Sequence, residues 1–230
     1  MNPVLVSVAL LAIPDDELSI LLLREPGTVW GLPGTPLSAG ERLVATAETA
    51  LLTRAGVSGV SLEQLYTLDG APGEEPVQVA YLGLTRAGRH TLAPGDGIVD
   101  AAWFALSDLP ALGPGAAAVV ALARTRVRAK AAYSTVVMDL IPATFTLGEL
   151  QAAYEAALEA PLDTRNFRRD VVAAGIVEDV GRTRAEGPGR PARLYRARPG
   201  SFAVDAGERR ALRAIEEALA ASADDGEKPA

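Results

Sequence analysis

The period of hydrophobic and polar positions changes several times along the chain, and each change marks an element. Val4–Ile13 is apolar apart from Ser7, and Leu18–Arg24 is rich in Leu and Ile. The polar turn Pro14-Asp15-Asp16-Glu17 lies between them, a pattern that predicts two paired strands. Val77–Thr85 (VQVAYLGLT) and Ala101–Ala105 around Trp103 predict two more. Between these pairs, Ser38–Gly56 contains no proline and places Val44, Ala47 and Leu51 on one helical stripe. Ser38 is the expected N-cap, with Glu41 completing a capping box, and Gly56 sits where a C-terminal glycine belongs. Gly113–Arg128 predicts a second helix. Strands, helix and strands without an internal repeat predict an α+β sandwich over residues 1–130.

After residue 130 the pattern is helical and then extended. Thr146 and Glu149 form a second capping-box pattern, and Leu147, Leu150, Tyr154 and Leu158 fall on one apolar stripe. Pro161 ends that helix. Asp163 or Thr164 can cap the next, Arg165–Ala174, which Gly175 closes. On it Phe167, Val171 and Ala174 share the core face, while Arg165, Arg168 and Arg169 lie opposite with Asn166 beside them. Ile176–Val180 and Arg193–Ala197 then predict a two-stranded ribbon around the loop 181–189. Two helices, a short turn and a basic hairpin predict a winged helix-turn-helix over residues 131–221. Its second helix enters a DNA major groove, where Arg reads guanine and Asn reads adenine, and wing arginines meet phosphates. The expected DNA contacts are Thr164, Arg165, Asn166, Arg168, Arg169, Arg182, Arg184, Arg190 and Arg193. An acid-paired amphipathic helix is the competing reading, because Asp163 and Asp170 lie on the same element. Ala206–Ala221 has a helical pattern that suits either a dimer interface or packing on its own domain, and residues 222–230 are expected to be disordered.

Charge sharpens this division. The 230-residue chain carries a formal charge of −7, which argues against a general polyanion binder. Residues 161–198 nevertheless hold nine arginines against five acids, a basic island of the kind a localised phosphate-binding surface requires. Only Phe167 and Tyr195 are aromatic in it, which disfavours an RNA module built on base stacking. Twenty of the 22 basic residues are arginine, consistent with the coding bias of a GC-rich genome. The absence of cysteine excludes disulfides, a thiol nucleophile and cysteine-based metal centres. A single histidine, His90, excludes His-rich metal sites. The N-terminal apolar run lacks a basic leader and is too short to span a bilayer, so a cytoplasmic protein with no membrane partner is expected.

The strand, the Trp30–Gly34 run (WGLPG) and the helix ending in Ala55-Gly56-Val57 together resemble the Nudix domain, whose signature is GX5EX7REUXEEXGU with U apolar. Glu41, Leu51, Gly56 and Val57 match it. Thr35 replaces the first glycine, Thr49 the arginine, and Ala50, Thr53 and Arg54 the three glutamates that hold a divalent ion in Nudix hydrolases. The resemblance therefore implies a Nudix-like α/β/α sandwich that has kept its scaffold and lost its catalyst, with no catalytic residue, metal or cofactor expected. It also implies nucleotide contacts, for which Arg24, Trp30, Glu41 and Tyr66 are the candidates, an arginine suiting a phosphate and aromatic rings a base. The alternatives are that Trp30 and Tyr66 are core or rim residues, and that Arg24 pairs with Glu25 or Glu41.

Beyond the Nudix-like part, Thr146–Gln151 (TLGELQ), Leu162–Arg169 (LDTRNFRR) and Gly189–Tyr195 (GRPARLY) closely resemble the NrtR group, Nudix-related transcriptional regulators of NAD metabolism. Glu63–Thr67 (EQLYT) and Val79–Leu82 (VAYL) are similar to the group's sensor domain, so the resemblance spans residues 3–198. It implies a homodimeric repressor on palindromic double-stranded operators, released when the Nudix-like domain binds ADP-ribose or a related phosphorylated metabolite. The group commonly carries arginines and an Asp-Pro element after the Tyr-Thr strand. This chain has Asp69–Pro76 (DGAPGEEP) there, and Glu74 and Glu75 would weaken pyrophosphate binding. A different phosphorylated effector, or none, stays open on that account. The competing function is an active Nudix hydrolase of nucleoside diphosphate derivatives with a rewired metal site on Glu41 and Glu48.

Overall fold

A computed structural model describes residues 4–69, 76–185 and 191–198. The chain divides into two compact units, Met1–Arg126 and Val127–Ala230.

In the first unit, β1 (Val4–Ala12) and β2 (Ser19–Arg24) are the antiparallel pair expected from the apolar runs, joined through Asp15 and Asp16 at φ 51° and 61°. β3 (Gly34–Pro36) also pairs with β1, and α1 is Leu43–Ala55. β4 (Leu62–Leu68), β5 (Val77–Leu84) and β6 (Asp100–Ala105) complete a mixed sheet of order β4-β5-β1-β2-β6, in which only β1 and β5 run parallel. Both faces are covered, which is why β1 is apolar along nearly its whole length. On one face Val6, Val8, Leu10, Leu21 and Leu23 pack with Ala47, Leu51 and Ala55 of α1. The other face carries Ser7, whose Oγ accepts from Gln78 Nε2 at 2.8 Å. There α2 (Pro114–Tyr133) begins beside Gln78, and its Arg126 donates to Leu65 O on β4. The result is the expected three-layer α/β/α sandwich.

One expected helix start fails. Ser38 does not cap α1: the N-cap is Arg42, in extended conformation and without a side-chain cap bond. Gly40 at φ 83° turns the chain out of the helical path, so Glu41 precedes the helix instead of lying on it. Its carboxylate accepts from Ser38 N at 3.4 Å and Thr46 Oγ1 at 3.2 Å. The C-terminal end is as expected, with Gly56 at φ 72°.

In the second unit a short 3-10 turn, Val136–Asp139, leads to α3 (Leu147–Leu158) and α4 (Thr164–Ala174). Thr146 caps α3 through a complete capping box: Glu149 N donates to Thr146 Oγ1 at 3.2 Å, and Thr146 N donates to Glu149 Oε2 at 2.7 Å. Leu150, Tyr154 and Leu158 are buried, and Tyr154 meets Phe167 of α4 with ring centroids 5.5 Å apart. β7 (Val177–Arg184) and β8 (Ala192–Ala197) form the wing, and Phe145 adds a bridge to Tyr195. β7 extends past the expected Val180 to Arg184, because a bulge between Asp179 and Thr183 absorbs Gly181 and lets pairing resume at Thr183 and Arg193. Arg190, Glu74, Glu75, the expected helix 206–221 and the tail 222–230 lie outside the described residues.

Candidate nucleic-acid interface and effector cleft

The helix-turn-helix is held by local side chains. Asp163 Oδ1 caps α4 by accepting from Asn166 N at 2.7 Å. The turn before it is clamped from α3: Gln151 Nε2 donates to Leu162 O at 3.2 Å and to Thr164 Oγ1 at 3.0 Å, while Leu162 N donates to Glu155 Oε1 at 2.8 Å. Gln151 Nε2 also donates to Glu155 Oε1 at 3.0 Å, tying the two clamps together. Gln151 and Glu155 are positioning residues to which the sequence alone assigned no role. Their spacing of four on α3 was the available signal, because it puts both on one helical face.

Phe167 and Val171 are buried, and Arg165, Arg168 and Arg169 are exposed, as the stripe predicts. Arg169 is 65% exposed in its side chain and donates from Nε to the adjacent Asp170 at 2.7 Å. Among the described residues neither Arg165 nor Arg168 has an acidic partner. Asn166 is half-buried and Thr164 exposed, its hydroxyl engaged by Gln151. In the wing Arg182 is exposed, and Arg193 pairs with Asp179 at 3.3 Å. Arg184 turns back instead and pairs with Glu149 at 2.5 Å, on the same oxygen that receives the Thr146 N–H. The structure thus places the described members of the expected set, Arg190 apart, on α4 and β7–β8, and gives Arg184 a strut's position.

The effector candidates divide. Arg24 stacks over Trp30 at 5.1 Å from the ring centroid and pairs with Asp100 at 3.3 Å, not with Glu25 or Glu41. Trp30 in turn meets Phe104 edge-on at 4.6 Å. Tyr66 is 54% exposed on β4, which β5 and β1 separate from β2. Glu41 is engaged by Ser38 and Thr46.

A cleft of about 360 Å³ is lined by Ser7, Glu25, Gly34, Arg54, Gln78 and Gly115 among others, and by none of these four candidates. Arg54 stands where the Nudix signature has its last glutamate, and it forms an ion pair with Glu25 across the cleft. Among the described residues no three His, Asp or Glu side chains converge as a metal-binding group. Glu48 is exposed on α1, and Glu41 precedes that helix. None of the described helices is long and apolar enough to cross a membrane.

Sandwich, clamped helix pair and basic wing define a Nudix-like domain followed by a winged helix-turn-helix. Residues 137–197 match the NrtR DNA-binding winged helix domain family. The ADPR responsive transcriptional repressor NtrR of Acinetobacter baylyi is 29% identical over 204 residues, covering 83% of this chain and 80% of that protein. The crystal structure of Shewanella oneidensis NrtR complexed with a 27mer DNA superposes with a TM-score of 0.71 at 29% identity, over 86% of this chain and 94% of that one. A MutT/nudix family protein from Enterococcus faecalis shares the fold at 20% identity, with a TM-score of 0.70 over 86% and 87% of the two chains. The chain is thus similar to NrtR regulators over most of its length, and its residues 137–197 match the NrtR winged helix model.

Proposed function

We propose that this chain is a homodimeric transcriptional repressor that binds a palindromic operator through residues 131–221. Residues 1–130 sense ADP-ribose or a related phosphorylated metabolite and do not hydrolyse it. The regulated genes serve NAD-related or nucleotide and sugar metabolism, and the protein works in the cytoplasm. The observation that carries this reading is α4, clamped by Gln151 and Glu155, with Phe167 buried and with Arg165 and Arg168 exposed and without an acidic partner among the described residues. Bidentate arginine–guanine contacts supply sequence preference, and the wing supplies phosphate contacts. The relatives' own descriptions, an ADPR responsive repressor and an NrtR–DNA complex, support the same assignment.

The test is fluorescence anisotropy on duplexes from upstream of the chain's own gene, across a salt series. Each phosphate neutralised contributes about 0.9 to the slope of log Kobs against log salt. Arg168→Ala is expected to weaken operator binding by about 1–3 kcal/mol and to relax base preference. Equal binding of operator and random DNA by wild type and variant overturns the assignment. AMP released from ADP-ribose with Mg²⁺, and abolished by Glu41→Gln, would instead establish the hydrolase.

A further inference from the structure

The cleft in the Nudix-like domain carries a fixed cation at the position of a lost metal ligand. We propose that Arg54 anchors the anionic group of the effector, and that Glu25 occupies this anchor in the ligand-free protein. Effector binding is then an exchange of a carboxylate for a phosphoryl group, and it requires no divalent ion. The inference rests on reading this domain as the effector sensor.

The two partners of the ion pair are mounted differently. Arg54 lies in the last turn of α1, where its carbonyl accepts from Gly95 N at 3.2 Å and Gly56 closes the helix. Its side chain is only 27% exposed, and its Nε is buried with no hydrogen-bond partner among the described residues. A buried donor without an acceptor is uncommon, and a ligand oxygen would satisfy it. Glu25 is half exposed and sits on a turn closed by Thr28, whose hydroxyl donates to Glu25 O at 3.1 Å. The carboxylate is therefore the partner free to swing into water, while the guanidinium stays.

The rest of the cleft suits an anion. Among the described residues that line it, Glu25 and Arg54 are the only charged side chains, so once Glu25 leaves that part of the wall is net positive. Gly115 and Ala116 of the first turn of α2 line it as well, and the first turn of a helix presents N–H groups without intrahelical acceptors together with the positive end of the dipole. Gln78 donates its amide to Ser7 Oγ, which leaves the serine hydroxyl proton for a ligand. Gly115 is required for that amide, since a Cβ there would lie 2.9 Å from Gln78 Oε1. The opening of about 360 Å³ is within the range of small-molecule sites.

Isothermal titration of the full chain with ADP-ribose and with inorganic pyrophosphate, both in excess EDTA, tests the exchange. Wild type is expected to bind ADP-ribose without metal. Glu25→Gln removes the competing carboxylate and is expected to bind about two- to fivefold tighter, the range set by an exposed ion pair. Arg54→Gln is expected to bind about tenfold or more weakly, as a charge-assisted hydrogen bond to the anion is lost. Because Arg54→Gln could also disturb α1, the opposite sign in Glu25→Gln is the deciding result, with thermal melts confirming that both variants fold. Unchanged or weaker binding by Glu25→Gln, or binding only with Mg²⁺, overturns the exchange. If ADP-ribose releases DNA equally from wild type and both variants, the anchor is wrong while the sensor reading stands. If Arg54-dependent binding is measured but operator affinity ignores the ligand, the anchor stands and the sensor reading falls.

Discussion

Arg184 separates a phosphate contact from a strut. Its guanidinium lies 2.5 Å from Glu149 Oε2, and that oxygen also accepts the Thr146 N–H at 2.7 Å, so the wing is tied to the capping box of α3. The side chains are 39% and 37% exposed, which screens the pair and limits their coupling to about 0.2–1 kcal/mol. Removing Glu149 additionally frees the Thr146 N–H, at about 0.5–1.5 kcal/mol. A double-mutant cycle of Arg184→Ala and Glu149→Ala in urea unfolding should recover that coupling. The decisive measurement is the salt dependence of operator binding. A strut lost from the wing lowers affinity at every salt concentration and leaves the slope unchanged, whereas each lost phosphate contact reduces it by about 0.9. Arg182→Ala is the control, since Arg182 is exposed on the same strand and has no such pair among the described residues. A slope reduced in Arg184→Ala as much as in Arg182→Ala, with no coupling to Glu149, would refute the strut.

Three further outcomes follow from packing and charge. Phe167→Ala empties a side chain 2% exposed and in ring contact with Tyr154, and should destabilise the second unit by about 3–5 kcal/mol; a near-wild-type urea midpoint would mean α4 does not rest on that contact. Gly95→Ala places a Cβ 1.8 Å from Thr53 O, which is backbone and cannot yield. The loop must lift, losing Ala93 N to Ala55 O and Gly95 N to Arg54 O, together about 1–3 kcal/mol, and an unchanged melting temperature would contradict this. Burial, aided by the Arg89 cation, holds His90 below its ordinary value of 6.5. The unfolded chain therefore takes up the proton first, so stability is unaffected above 6.5 and falls as the pH drops toward the folded value. His90→Gln should remove that component of the difference between pH 7 and pH 5.5, and an identical pH response in the variant would exclude it.

Local chemistry made most elements legible. The α3 cap, the α4 cap and the stripes of Leu150, Tyr154, Phe167 and Val171 depend on residues a few positions apart, and each formed as the spacing requires. The same Ser-x-x-Glu pattern failed at Ser38, where Gly40 adopts a left-handed conformation and the helix begins only after Arg42. Glu41 keeps its half of the box by accepting from Ser38 N, and it also reaches Thr46 Oγ1. β3 left no signal because its three residues owe their conformation to distant pairing, Leu5 with Pro36 and Ser7 with Gly34. Gly34 is needed there, as a Cβ would sit 3.1 Å from Val6 O.

The basic island was visible as composition, yet the fate of each arginine was not, because pairing depends on register. Glu178 stands directly opposite Arg196 and pairs with it, and the bulge that follows Asp179 brings Arg193 to that carboxylate. These pairs do not subtract simply from DNA affinity. Exposed ion pairs contribute little, so a phosphate can replace a carboxylate partner at small cost, and until then the carboxylate holds the guanidinium extended. The paired arginines are thus preorganised donors, and the net charge of the island, more than its number of unpaired arginines, sets the electrostatic attraction. The same reasoning applies to the anchor proposed for the cleft and to the phosphate contacts proposed for the wing: in each, a carboxylate holds an arginine that a phosphate would take over.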